Sequence, residues 1–370
     1  IAQIKQNAEM LDKNLKEIKL CDPAVGTGAF IVEMLNLITK TRKKLDYYIN
    51  KKRSEYHLKI HTIQKSLYGV DMENHAIEIA KLRLWLSLII EEKNYEKISA
   101  LPNLDFKFMV GNSLYNDKQN NLLDYPILKE IEKLKDEFLI TSNHKRQKNL
   151  SEQINKLYLS INKSEKNFDY KKNFSEIFEK KKIEGFDIII GNPPYVRGDN
   201  IKKQDLDYKS TYGEVYGGGK TDLYIYFIKK SQELCKKNGF ISLITSNKWM
   251  TTNYGKKLRI YLSLYNIKKL IDFGDIPIFE ASVHVNILAF NNTKLNSNSA
   301  KPEVLDFSSV IKNKIKDSPR SFNVKNVKRY LLRLEDLFTK HKKTFEHFPG
   351  DGSSWSASDK INDKKFNIAK

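Results

Sequence analysis

Ile18-Lys19-Leu20-Cys21-Asp22-Pro23-Ala24-Val25-Gly26-Thr27-Gly28-Ala29-Phe30 sets the architecture of this chain. A short apolar run, Ile18 to Cys21, stops at an acid and a proline. Two glycines follow, and then an apolar stretch from Phe30 to Ile38 with the character of a buried helix. Strand, glycine turn and helix form the opening unit of an open α/β sheet. Gly26 and Gly28 lack a Cβ and tolerate positive φ, so the backbone there can approach a ligand closely. A dinucleotide turn would carry a third glycine where Ile31 stands, and an acid before the turn repels phosphate. Asp22 suits a ligand that brings hydrogen-bond donors or positive charge.

The same pattern repeats outward. Upstream, residues 1–17 have helical spacing at Ile4, Ala8, Leu11 and Leu15. Downstream, a Lys/Tyr-rich stretch, 40–66, reads as an insertion before a second strand, Ser66 to Val70, closed by Asp71. A periodic helix follows from Glu73 through Leu82, Leu86 and Ile89, and a third strand, Phe106 to Val110, ends at Gly111-Asn112-Ser113. Residues 116–184 carry mixed charge with helical spacing at Ile127, Ile131, Leu134 and Phe138, then at Leu150, Ile154 and Leu157. They predict a surface insertion built as an antiparallel helix pair. Strand character returns at Phe186 to Ile190, followed at once by Gly191-Asn192-Pro193-Pro194-Tyr195 and a polar, glycine-rich loop, 198–220. Then come a helix (222–235), a strand (239–245), a helix (255–265), a strand (267–273), and an alternating segment, Val283 to Phe290, that predicts an edge or hairpin strand. Uniformly apolar strands separated by helices call for a doubly wound, mostly parallel α/β sheet covered on both faces. The pattern fades near 294, which predicts one domain over 1–293 and a linker with the start of another domain over 294–370, basic at 312–343 and Gly/Ser-rich at 348–358.

Sixty-five Lys and Arg against 45 Asp and Glu leave a net charge of +20. Such a surplus attracts polyanions, nucleic acid most commonly; abundant Lys beside Asn, Ile and Tyr is also what an AT-rich genome produces. Two cysteines, Cys21 and Cys235, are too few for a disulfide framework and lack zinc-site spacing, so no metal is expected. With neither a signal peptide nor an apolar run near 18 residues, the expectation is a cytoplasmic protein with no membrane contact.

Four turns carry candidate chemistry. Asp71, ending the strand beside the glycine turn, is placed to accept from both hydroxyls of a ribose, and equally to cap the following helix. Asn112 offers an acceptor to an adenine amino group, or closes a turn. In Asn192-Pro193-Pro194-Tyr195, two prolines without N–H groups cannot continue a ladder and hold a stiff, extended backbone. That backbone can present two acceptors, the Asn192 side-chain oxygen and the Pro193 carbonyl, to the two hydrogens of an exocyclic amine. Tyr195 adds a flat face on which a flipped base can stack. The basic positions Arg197, Lys202, Lys203, Lys209 and Lys220 suit a phosphate-facing loop.

Together, Asp22 to Phe30, Leu67 to Asp71, Gly111 to Leu114, Gly191 to Tyr195, Lys220 to Tyr224 and Ile241 to Trp249 resemble, in order, the motifs of S-adenosylmethionine (SAM)-dependent N6-adenine DNA methyltransferases. The similarity covers roughly 15–292 and is strongest to the methyltransferase region of type IIG restriction–modification enzymes. It implies a Rossmann-like domain in which Asp22, Ala24, Gly26 and Gly28 line the methionine side of SAM. Asp71 takes the ribose, and Asn112 and Leu114 the adenine ring. Pro23, Phe30, Met72 and Ser113 complete the implied cofactor set. Asn192, Pro193, Pro194 and Tyr195 handle the target base, and Phe279 packs on its other face. Double-stranded DNA is the implied partner, with nuclease and target-recognition domains in the same full-length polypeptide. Three departures stand out. The aromatic-Thr-Pro segment that precedes the first motif is not in this chain, an expectation of weakened SAM binding. Asn112 stands where many relatives have Asp. No paired-acid-plus-Lys nuclease motif is found, so no cleavage is expected from this chain.

Overall fold

The computed structural model describes residues 2–90, 104–115, 124–141, 143–161, 168–178, 184–201, 207–274, 278–279, 283–295, 303–306, 342–344, 350–353 and 355. The chain divides into two compact units, residues 1–191 with 233–237, and residues 192–232 with 238–370.

In the first unit the order is α1 (Ala2–Glu17), β1 (Leu20–Asp22), α2 (Ala29–Asp46), α3 (Glu55–Ser66), β2 (Leu67–Asp71), α4 (Asn74–Ile89), β3 (Phe108–Val110), α5 (Tyr125–Ile140), α6 (His144–Ile161), α7 (Tyr170–Asn173), α8 (Ser175–Phe178) and β4 (Phe186–Gly191). The strands lie in the order β3-β2-β1-β4, and every pair the register describes is parallel. Leu20 faces Leu67 on one side and Ile188 on the other, and Asp71 faces Val110. Parallel strands of matched register end together, so the turns after Asp22, Asp71, Val110 and Gly191 leave from one edge. Ile31 and Leu35 of α2, Tyr56 and Ile63 of α3, and Ile77, Leu84 and Leu88 of α4 close with Leu20, Leu67 and Phe108 into one core.

Between the first two strands, the 40–66 stretch consists of the end of α2 and all of α3, joined by a turn over 47–54. α2 runs on to Asp46, and the Ser54 side chain accepts from the His57 backbone N–H to start α3. Basic residues mask the apolar face of α3, whose Tyr56, Leu58 and Ile63 are buried. The expected helical hairpin is present: α5 and α6 share a core of Ile131, Phe138, Leu150, Ile154 and Tyr158. Lys172 ties its open end, pairing with Asp124 before α5 and donating to the Ile161 carbonyl at the end of α6.

α1 is fastened to α2 by charge. Asp12 accepts from Arg42 Nε at 2.9 Å and from Arg53 Nη1 at 2.9 Å, and Arg53 also pairs with Asp46. Burial pushes the Asp12 carboxyl up, but the hydrogen bonds and charges of Arg53 and Arg42 outweigh it and hold it below the ordinary range. Arg42 is 2% exposed, so Asp12→Ala strands a buried guanidinium. The expected loss is about 3 kcal/mol, checked by urea unfolding at pH 7. Because the folded carboxyl titrates low, this contribution is complete above the unfolded carboxyl's pKa and is lost as pH falls through the folded one. The gap between wild type and variant should therefore narrow in acid.

The second unit contains α9 (Tyr208–Thr211), α10 (Leu223–Leu234) and β5 (Cys235–Ser246) apart from residues 233–237, and then α11 (Lys256–Ser263), β6 (Tyr265–Asp272), β7 (Val285–Lys294), β8 (Glu303–Asp306) and β9 (Lys342–Thr344). Its strands are ordered β5-β7-β6-β8-β9. β7 is antiparallel to both β5 and β6, while β8 runs parallel to β6. β7 is thus interior, which corrects the edge position read from its alternation, while the hairpin alternative holds: β7 pairs antiparallel with β6, the strand before it. Val285, Asn286, Leu288 and Phe290 are all fully buried, which only a strand covered on both faces and paired on both sides allows. The described part of the Gly/Ser-rich 348–358 stretch is anchored. Arg259 donates through Nε and Nη2 to the Gly352 carbonyl, and Trp355 stacks edge-on to Trp249 at 5.2 Å. Most of 294–370, including nearly all of its basic segment, lies outside the described residues.

Candidate active site

The turn after β1 is built by hydrogen bonds among the acidic and glycine residues singled out above. Asp22 is 1% exposed, and its Oδ1 accepts from the Ala24 backbone N–H at 3.0 Å. Burial raises its carboxyl to about 7, helped by the charge of Asp71, against the lowering effect of the Ala24 hydrogen bond. Asp71, half-buried, accepts from the Gly26 N–H at 2.8 Å and from the Glu73 N–H at 3.0 Å. It therefore clamps the glycine turn and starts α4 at once. Gly28 has φ 80°, and a Cβ there would stand 2.9 Å from the Ala80 Cβ, so α4 lies directly against the turn. A Cβ on Gly26 would meet nothing within 4 Å; the backbone borders open space there. Gly191 ends β4 over the same acid: a Cβ on it would lie 2.5 Å from Asp22 Oδ1.

The turn after β3 joins this group. Ser113 Oγ donates to the Pro23 carbonyl at 2.6 Å and sits 2.9 Å from the Tyr170 hydroxyl. Asn112 Oδ1 accepts from the Leu114 N–H at 3.0 Å, closing a local turn, and Leu114 is buried. Asp22, Pro23, Ala24, Gly26, Gly28, Asp71, Ser113 and, through its turn, Asn112 with Leu114 are thereby drawn into one constellation. Phe30, half-buried in the first turn of α2, and Met72, 68% exposed, adjoin it in sequence.

The second constellation begins one peptide bond beyond β4. Asn192 is half-buried, Pro193 buried, Pro194 exposed and Tyr195 half-buried, all in backbone that belongs to no helix or strand. Tyr195 and Phe279 meet in one apolar cluster with Ile271, Phe273 and Val285. The Tyr195 hydroxyl donates to Asn192 Oδ1 at 2.6 Å, and its ring stands edge-on to Tyr224 at 6.2 Å. Asp222 accepts from the Gly198 N–H at 3.1 Å and from the Tyr254 hydroxyl at 2.8 Å, and Leu223 N–H donates to the Val196 carbonyl at 2.9 Å. Asp222 lies within the Lys220 to Tyr224 motif but was given no role of its own, and Tyr254 was not singled out; nothing in periodicity links positions 32 residues apart. Lys202 and Lys203 lie outside the described residues, whereas Arg197, Lys209 and Lys220 are exposed. Among the described residues no cluster of His, Cys, Asp and Glu could hold a metal, and no helix is long and apolar enough to cross a membrane.

A mostly parallel sheet with an acid–glycine turn after one strand and Asn-Pro-Pro-Tyr after another defines a Rossmann-like methyltransferase. Residues 65–279, over half of the chain, match the family described as Eco57I restriction-modification methylase, and the chain belongs to that family. It is 26% identical over 95% of its length to the type II restriction enzyme and methyltransferase RM.Eco57I of Escherichia coli, covering 30% of that protein. It is 21% identical over 74% of its length to the adenine-specific methyltransferase PglX of Lacticaseibacillus casei, covering 23% of it. The chain thus spans less than a third of these relatives. In fold it is similar to the Type ISP restriction–modification enzyme LlaBIII, solved bound to DNA, with TM-score 0.55 and 14% identity over 95% of this chain and 22% of that one. The Type IIL enzyme MmeI, solved in complex with DNA, gives TM-score 0.52 and 17% identity over 84% of this chain and 36% of that one.

Proposed function

We propose that the chain transfers a methyl group from SAM to the exocyclic N6 amine of an adenine turned out of duplex DNA, as the modification part of a restriction–modification system. The observation that carries this reading is Asn-Pro-Pro-Tyr itself. Its half-buried amide accepts from the Tyr195 hydroxyl, and Tyr195 and Phe279 both pack against one apolar cluster. The similarity to an adenine-specific methyltransferase supports adenine as the base.

The turn after β1 fits SAM in its chemistry. The open space at Gly26 admits a ligand against bare backbone, and the carboxyls of Asp22 and Asp71 suit an ammonium and a ribose. SAM, when bound, supplies an activated methyl on a sulfonium. The protein's share is to hold the amine: its two N–H groups donate to Asn192 Oδ1 and to the Pro193 carbonyl, which leaves the nitrogen lone pair outward. Tyr195 and Phe279 cover the ring and limit its tilt, and positioning of this kind supplies most of the acceleration. Turning the base out costs a few kcal/mol, offset by stacking and by the exposed Arg197, Lys209 and Lys220 on backbone phosphates. Nuclease and target-recognition domains belong, in this proposal, to a longer polypeptide that includes the chain.

Tritium transfer from labelled SAM to duplex DNA, RNA and protein tests the reading. Label in DNA alone is expected; label confined to RNA or protein would overturn it.

A further inference from the structure

A carboxamide has two ends of nearly equal shape and opposite chemistry, and only its oxygen can accept from a target amine. Something must keep Asn192 from presenting its NH₂ instead. The Tyr195 hydroxyl, 2.6 Å from Asn192 Oδ1, is placed to do so. As a donor it selects the oxygen, and a carbonyl oxygen has a second lone pair left for the substrate. Burial raises the Tyr195 hydroxyl far above its ordinary range, so it remains protonated.

The hydroxyl is itself held in place. Tyr224, fully buried, backs the ring edge-on, and the cluster of Ile271, Phe273 and Val285 packs on it. The backbone just after Tyr195 is fastened at Val196 and Gly198 to the start of α10, through Leu223 N–H and the Asp222 carboxylate. Gly198 lies so close to that helix start that a Cβ on it would fall 2.4 Å from the Lys220 carbonyl carbon. Tyr254 completes the brace, donating to Asp222 and reaching the Tyr224 hydroxyl at 3.5 Å.

We propose that the Tyr195 hydroxyl is a positioning group that fixes the orientation of the Asn192 carboxamide, a role separate from stacking by its ring. This rests on the methyltransferase reading above.

Tyr195→Phe keeps the ring and deletes only the hydroxyl. With the purified chain, unmethylated duplex DNA and labelled SAM, kcat should fall by about tenfold, the worth of one oriented hydrogen bond. KM for SAM and for DNA should each change by less than about twofold, with the unfolding midpoint retained. A carboxylate offers oxygen at both ends, so in an Asn192→Asp background the same substitution should alter kcat by less than about twofold. An unchanged kcat in Tyr195→Phe alone, or equal losses in both backgrounds, would overturn the inference. Wild-type transfer to DNA with an unaffected Tyr195→Phe sinks this inference only; no wild-type transfer to DNA sinks the methyltransferase reading with it.

Discussion

Asn192→Ala is expected to lower methyl transfer to DNA by roughly 100- to 1000-fold while SAM affinity stays within about twofold of wild type. The amide oxygen is one of two acceptors proposed to hold the adenine amine. Losing it leaves the nitrogen free to rotate out of line, a cost felt in the transition state more than in binding. Alanine keeps the backbone between Gly191 and Pro193, and the proposed SAM residues, Asp22, Gly26 and Asp71, are hydrogen-bonded among their own turns and strands. Tyr195 loses its hydrogen-bond acceptor but keeps its apolar cluster. Equilibrium binding of SAM and single-turnover labelling separate the two effects. Retained turnover would remove Asn192 from the chemistry, and loss of SAM binding would show that the substitution had damaged the cofactor side.

Asp22→Asn is expected to act in opposite directions on stability and on SAM. In the ligand-free chain the buried carboxyl titrates at about 7, against 3.8 for an ordinary one. A folded state that holds the proton more tightly is most stable below the unfolded pKa and loses stability as pH rises from about 4 to about 7. The gap corresponds to roughly 4 kcal/mol as an upper figure. Asparagine keeps the acceptor for the Ala24 N–H and removes the charge, so the variant should unfold at higher temperature than wild type at pH 8, and the two should converge near pH 4. SAM affinity should meanwhile fall by at least about tenfold, because the ammonium of its methionine part loses its counter-charge. Thermal unfolding across pH and calorimetric titration with SAM read both. A variant less stable than wild type at pH 8 would show that the carboxylate is better compensated than its burial implies.

Four strand-end turns are legible in sequence because each follows a short apolar strand with a residue that breaks the strand pattern. Asp22-Pro23, Asp71, Gly111-Asn112 and Asn192-Pro193-Pro194 each stop an apolar run of three to six residues. α3 was hidden because polar residues, the buried Lys59 and Thr62 among them, break its apolar spacing and its cap, Ser54, gives no periodic signal. β7 looked like an edge because its first residues alternate, while the continuous Leu288-Ala289-Phe290 run betrays burial on both faces. The Arg259–Gly352 clasp was masked by glycine and serine, which outweigh one tryptophan in any compositional reading. Side-chain couplings lay beyond sequence altogether. That Asn192, Tyr195 and Phe279 belong together followed from their motifs; that a hydroxyl sits on the amide oxygen depends on rotamers set by Tyr224 and its neighbours.

The most direct test of the central claim is nucleoside analysis of duplex DNA after incubation with the chain and methyl-labelled SAM. An amine seated between Asn192 and Pro193 predicts that the label is recovered as N6-methyl-2′-deoxyadenosine from hydrolysed DNA, in wild type and not in Asn192→Ala. Label recovered on a carbon of cytosine, or on adenine equally in both proteins, would contradict it.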